Sequence, residues 1–160
     1  MDHAAPARQR ELHPAAPAYI KARMLSELPW PAGATIIFAV LAVFTSAWLW
    51  IGAAVSLVGL IWLAVLIPMQ VRNLGWLETD DDLLVARGKL WRRFTVIPYG
   101  RIQFVDVSAG PIMRWLNLKK VEIHTASATS DSTVRGLDAD TADGLRDRLA
   151  DKARERMSGL

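Results

Sequence analysis

The chain has 160 residues, 52% of them hydrophobic types, a net charge of only +3 and no cysteine. Without cysteine there are no disulfides, thiolate metal sites, cysteine nucleophiles or S-acylation, and the composition fits a reducing compartment. Basic and acidic residues are interleaved, with no aromatic stacking platform beside a basic groove, which argues against nucleic-acid binding. What stands out is distribution. From Leu28 to Val71 no side chain is charged, more than twice the roughly 20 apolar residues that carry one helix across a bilayer.

In chain order, residues 1–28 come first. Met1–Ala18 is rich in Ala, Pro, Arg and His without an apolar period and reads as a flexible tail. Ile20, Met24, Leu25 and Leu28 then follow helical spacing, which predicts a short amphipathic helix over Tyr19–Leu28 lying on the membrane surface. Pro29 and Pro31 punctuate the chain around Trp30, a residue suited to headgroup level.

Residues 29–70 read as a two-helix transmembrane hairpin, with spans at about 32–49 and 53–69 and the reversal near Trp50–Ala53. Trp48 and Trp50 suit an aromatic belt, and Ser56, Gly59 and several alanines permit close helix approach. A signal peptide, with Thr45 and Ala47 before a cleavage point, fits poorly: the polar region ahead of it is long, and a second apolar span follows directly. Arg8, Arg10, Lys21 and Arg23 precede the hairpin, and Arg72, Arg87, Lys89, Arg92 and Arg93 follow it, with no basic residue at the reversal. The positive-inside rule therefore predicts that both termini are cytoplasmic. No ionisable residue lies inside either span, so the hairpin reads as an anchor and not as a transport path.

Residues 71–160 read as a cytoplasmic α+β domain. Two-residue alternation predicts strands at about Gly75–Thr79, Leu83–Arg87, Leu90–Ile97, Ile102–Val107, Lys120–Thr125 and Thr133–Leu137. Asp80-Asp81-Asp82 and Arg87-Gly88-Lys89 have turn composition. In the fifth strand Val121, Ile123 and Thr125 should face one way, and Lys120, Glu122 and His124 the other. Gly110–Leu118 predicts a short helical turn. Ala139–Met157 predicts an amphipathic helix capped by Asp138 or Asp140, with Ala142, Leu145, Leu149, Ala153 and Met157 as its apolar stripe.

The succession Leu83–Leu90 (LLVARGKL), Arg92-Arg93, Val96-Ile97-Pro98, Arg101–Val107 (RIQFVDV), Gly110-Pro111-Ile112, Leu116-Asn117-Leu118, Val121-Glu122-Ile123, Thr125-Ala126 and Gly136-Leu137 resembles the bacterial pleckstrin-homology-like (PH-like) domain of the YdbS-like, membrane-flanked proteins. With the two preceding spans, the resemblance covers about four-fifths of the chain. It implies a PH-like antiparallel β-barrel or sandwich of two orthogonal sheets capped by a C-terminal α-helix. It also implies no enzymatic activity, and a longer, related multi-domain membrane protein as partner. Envelope homeostasis or resistance to membrane-active compounds enters by analogy alone.

The candidate site residues fall into two groups. Arg72, Lys89, Arg92 and Arg93 would face anionic lipid, each contributing on the order of 1 kcal/mol near such a surface, or else enforce topology and solubility. Arg101, Gln103 and Asp106 form either a buried Arg–Asp pair or a Gln bonding to backbone, or else a contact surface for another subunit. Pro111, Arg114 and Trp115 belong to an apolar ridge with Ile112, Met113 and Leu116, and Trp115 either plugs a barrel end or meets a partner. Asp80, Asp81 and Asp82 read as a solvated turn, since three consecutive carboxylates cannot converge on one ion. His124 reads as a surface residue, and His3 and His13 have no metal-ligand spacing. No catalytic, metal or cofactor site is expected. The leading function is a non-enzymatic, membrane-anchored interaction or oligomerisation module that assembles an inner-membrane complex. The alternative is a peripheral anionic-lipid sensor on a membrane anchor. A small exporter subunit is a third class, compatible with the anchor but without an intramembrane polar residue to support it.

Overall fold

A computed structural model describes residues 12–87, 93–126 and 131–158. Its elements run β1 (His13–Pro14), α1 (Ala18–Glu27), α2 (Pro29–Phe44), α3 (Leu49–Val71), β2 (Gly75–Glu78), β3 (Asp82–Arg87), β4 (Arg93–Pro98), β5 (Ile102–Ser108), α4 (Pro111–Trp115), β6 (Leu118–Thr125), β7 (Ser132–Asp138) and α5 (Ala139–Ser158). The expected turn at Arg87-Gly88-Lys89 and the first part of the expected third strand lie outside the described residues.

Two helices, Ala18–Phe44 and Leu49–Val71, are long and apolar enough to cross a membrane. The prolines do not break the first. Leu28 keeps helical dihedrals, its amide bonds to Met24 and its carbonyl accepts from Ala32, so α1 runs on into α2 with Pro29 at the first helical position. The fixed φ of proline is compatible with the helical backbone there. The reversal falls at residues 45–48, earlier than expected. Ser46 and Ala47 carbonyls accept from Leu49 and Trp50 there, while Gly52 serves helix contact: a Cβ on it would stand 3.0 Å from the Phe38 ring. Thr35 Oγ1 and Ser56 Oγ, 3.0 Å apart, both reach the Pro31 carbonyl, at 2.8 and 2.9 Å, closing a small polar knot between α2 and α3.

Two antiparallel sheets follow, ordered β1-β2-β3-β4 and β5-β6-β7. They face one another as a sandwich instead of closing into a barrel. Between them lies a core of Trp76, Leu83, Val85, Ile97, Val121, Ile123, Val134 and Leu137, sealed by Ala142, Leu145, Leu149 and Ala153 of α5. Leu145 and Leu149 are fully buried, and burying each side chain contributes about 1.5–3 kcal/mol. Their spacing, one turn apart, is why α5 caps the sandwich along a single stripe. Its first amide bonds to the Asn117 carbonyl, and Asn117 itself turns the chain after α4 with φ +54°, a conformation Asn tolerates better than most residues.

A second cluster joins the helices to the sandwich. Tyr19, Ala22, Ile67, Val71 and Leu118 are buried together, with Ile20, Met24, Leu28, Ile112, Met113 and Leu116 packed against them. Strand β6 serves both clusters because its register shifts between Lys119 and Val121, sending Leu118 to the second and Val121 and Ile123 to the first. The described part of the expected tail is also engaged. His13 and Pro14 pair with Trp76 and Gly75, the His13 ring lies 4.8 Å from the Trp76 ring, and Ala16 donates to the Gly136 carbonyl at 2.7 Å.

A candidate basic cleft at the membrane end of the domain

Tyr19 and Arg23 are one turn apart on α1, and Leu66 and Gln70 are one turn apart on α3, so each pair presents a single face. These faces meet β2, β3 and β7 around a cleft of about 400 Å³, lined also by Ala15, Leu74–Trp76, Ala86, Arg87 and Thr133–Arg135. Gly75 pairs with Ala86 across β2 and β3, and two small residues side by side leave the floor open. Three arginines line the cleft, and no carboxylate is among its described lining residues. Arg23 is held in place: its Nη1 donates to Gln70 Oε1 at 2.9 Å, and its Nε and Nη2 donate to Glu27 Oε1 at 2.8 and 2.6 Å. Arg87 Nη2 donates to the Thr133 carbonyl at 2.6 Å, and Arg135 is exposed.

None of the three was singled out for this role in the sequence, where Arg23 and Arg87 count only as flanking charges. They come from an N-terminal helix and two strands, so no spacing rule joins them. The residues expected to face lipid are placed differently. Arg72 is exposed at the end of α3, and Arg93 opens β4 opposite Arg87. Lys89 and Arg92 lie outside the described residues.

Arg101, just before β5, and Gln103 and Asp106 within it are all exposed, so no buried Arg–Asp pair forms among them. Pro111, Arg114 and Trp115 are exposed on α4. The ridge divides, because Ile112, Met113 and Leu116 pack on the second cluster while Trp115 stays 76% exposed and plugs nothing. In the aspartate turn Thr79 bonds to Asp82 through backbone and hydroxyl, and Asp81 pairs with Arg156 of α5. No group able to hold a metal ion occurs among the described residues. His124 is half-buried, stacked on Phe104 with ring centres 4.3 Å apart and facing Asp131 at 3.2 Å.

Electrostatics elsewhere serve the scaffold. Burial raises the Tyr99 phenol above its ordinary value, opposed by the Lys152 ammonium. The Tyr99 hydroxyl donates to the Thr79 carbonyl at 2.8 Å, and Lys152 Nζ reaches the same carbonyl at 3.2 Å. Hydrogen bonding from Lys120 holds the Glu122 carboxyl below its usual range.

The model of the bacterial PH domain matches residues 24–153. The chain is 27% identical over 154 residues to the UPF0699 transmembrane protein YdbS of Bacillus subtilis (strain 168), covering 92% of this chain and 96% of that protein. No solved structure matches.

Proposed function

Because the chain belongs to the bacterial PH-domain family, and two helices able to span a bilayer precede its sheets, we propose that it is a non-enzymatic, membrane-anchored interaction module. Its role is to assemble a membrane complex with a related protein that also carries PH-like domains. In this reading residues 29–70 anchor it in a bacterial inner membrane, both termini are cytoplasmic, and residues 71–160 form the working domain.

The observation that supports assembly is the outer edge of β4. This strand ends its sheet among the described strands, and Phe94 and Val96, two residues apart on one face, are 46% and 51% exposed. An open strand edge offers unpaired backbone donors and acceptors, and an apolar face beside it adds the affinity that backbone pairing lacks. A sheet of the same fold is a natural complement.

The test is a photo-crosslinking residue at Val96 in the full chain, solubilised in mild detergent, with the adduct identified by mass spectrometry. An adduct with a PH-domain membrane protein, lost in a Phe94→Asp variant, is the expected result. Recovery of uncrosslinked chain alone overturns the reading.

A further inference from the structure

We propose that the cleft lined by Arg23, Arg87 and Arg135 binds a phosphate-bearing anion, and that an anionic phospholipid supplies it by entering from the bilayer side. This goes beyond the assembly reading and uses different residues. It shares with that reading only the premise that the hairpin spans the membrane.

Guanidinium groups are always charged, and their planar fork matches phosphate oxygens two at a time. A cavity lined by three of them favours an anion over a cation. The site is also prearranged. Arg23 is fixed by Gln70 and Glu27, and spends three of its five N–H donors doing so. Arg87 is tied to the Thr133 carbonyl, so neither side chain has to be ordered when a ligand arrives. Glu27 lessens the charge of Arg23 but does not line the cleft.

The remaining walls fit the rest of such a ligand. Ala15, Leu66, Leu74, Trp76 and Ala86 are apolar, which suits the glycerol and ester region beneath a phosphate. The volume of about 400 Å³ lies in the range of small-molecule sites. Depth agrees as well: Leu66 and Gln70 sit on the last turns of α3, and charged residues resume at Arg72. A hairpin crossing the bilayer therefore brings the mouth of the cleft to the level of the phosphates.

The experiment uses full-length protein in nanodiscs of phosphatidylcholine alone or with phosphatidylglycerol, and native mass spectrometry counts retained lipid. Arg135→Gln is the primary variant because Arg135 is exposed and its loss spares the fold. Arg23→Gln is the second, and Arg101→Gln, exposed elsewhere on the domain, is the control. The expected result is preferential retention of phosphatidylglycerol, weakened about tenfold by Arg135→Gln and untouched by Arg101→Gln. Glycerol phosphate added in solution separates the sources. If it binds and displaces the lipid at millimolar concentration, the phosphate site stands but the bilayer route does not. Equal retention of the two lipids, with no glycerol phosphate binding, overturns the proposal. The crosslinking at Val96 is independent of all these readouts, so the two readings fail separately.

Discussion

The ring of Tyr19 lies on the bare Cα of Gly136. A Cβ built there would stand 2.6 Å from Tyr19 Cγ, and Gly136 has φ +72°. One glycine thus meets two demands, a left-handed backbone in β7 and a contact surface for α1. Gly136→Ala should cost about 2 kcal/mol or more, since the conformation alone costs roughly 1–2. Thermal unfolding of the full chain in detergent measures it. Adding Tyr19→Ala should restore part of the loss by removing the ring contacts at 2.6 and 2.7 Å, while the Cβ contact at 2.9 Å stays. A double variant no better than the sum of the singles would show that only the backbone matters.

Asp131 gives an acid limb to stability. Its carboxyl accepts the Thr125 amide at 2.8 Å and is held below the ordinary carboxylate value, first by that bond and then by His124. A depressed folded pKa contributes stability that is present above the unfolded value, about 3.9, and is lost as pH falls through the folded one. The melting temperature should hold from neutral pH to about 5 and fall below that. Asp131→Asn should start lower at neutral pH and converge with the parent in strong acid, where the carboxyl is protonated in both states. Parallel curves for the two proteins would rule out Asp131 as a source of the slope.

Tyr99 sets an alkaline limb of opposite sign. With its folded pKa raised by burial, its contribution is complete below about pH 10 and is lost as pH rises through the folded value. Tyr99→Phe should cost about 1–2 kcal/mol at neutral pH, since its hydroxyl donates to the Thr79 carbonyl and accepts from Lys152 Nζ at 3.3 Å, and should flatten the loss above about pH 10. Denaturant titrations at pH 7 and at high pH read both effects.

Trp115→Ala should change stability by less than about 0.5 kcal/mol, as befits an exposed side chain. Leu149→Ala, at a fully buried position, should cost about 2–5 kcal/mol. A large loss on removing Trp115 would mean that it closes the sandwich after all.

The cysteine-free sequence makes a clean topology assay available. Ser46→Cys places the one thiol in the reversal between α2 and α3. It should react with a membrane-impermeant maleimide from outside intact cells, whereas a thiol introduced at Ser158 should react only after lysis. The opposite pattern would invert the proposed orientation.

Strands and the final helix were legible in the sequence because each buries one face at a fixed period, and the apolar spans because no charge interrupts Leu28–Val71. Val121 and Ile123 alternate inward, and Leu145 and Leu149 recur a turn apart. Their order pointed to an α+β domain, and the resemblance supplied the PH-like class. The reversal was misplaced because Gly52 looks like a turn residue, yet glycine in a membrane helix also makes room for a neighbour such as Phe38. The cleft was illegible for a different reason. Arg23 and Arg135 are more than 100 residues apart, and the docking of Tyr19 on Gly136 helps bring them to one cavity. No local pattern encodes a meeting made by tertiary packing.

Only Arg72, Asn73 and Leu74 separate α3 from β2, and Val71, Ile67 and Tyr19 are buried in the same cluster as Leu118 of β6. The joint is therefore a weld and not a tether. A neighbour that tilts or turns α3 within the bilayer must carry both sheets with it, like a handle fixed to a blade. A protein seated on the β4 edge would in turn feel any change of bilayer thickness that alters that tilt.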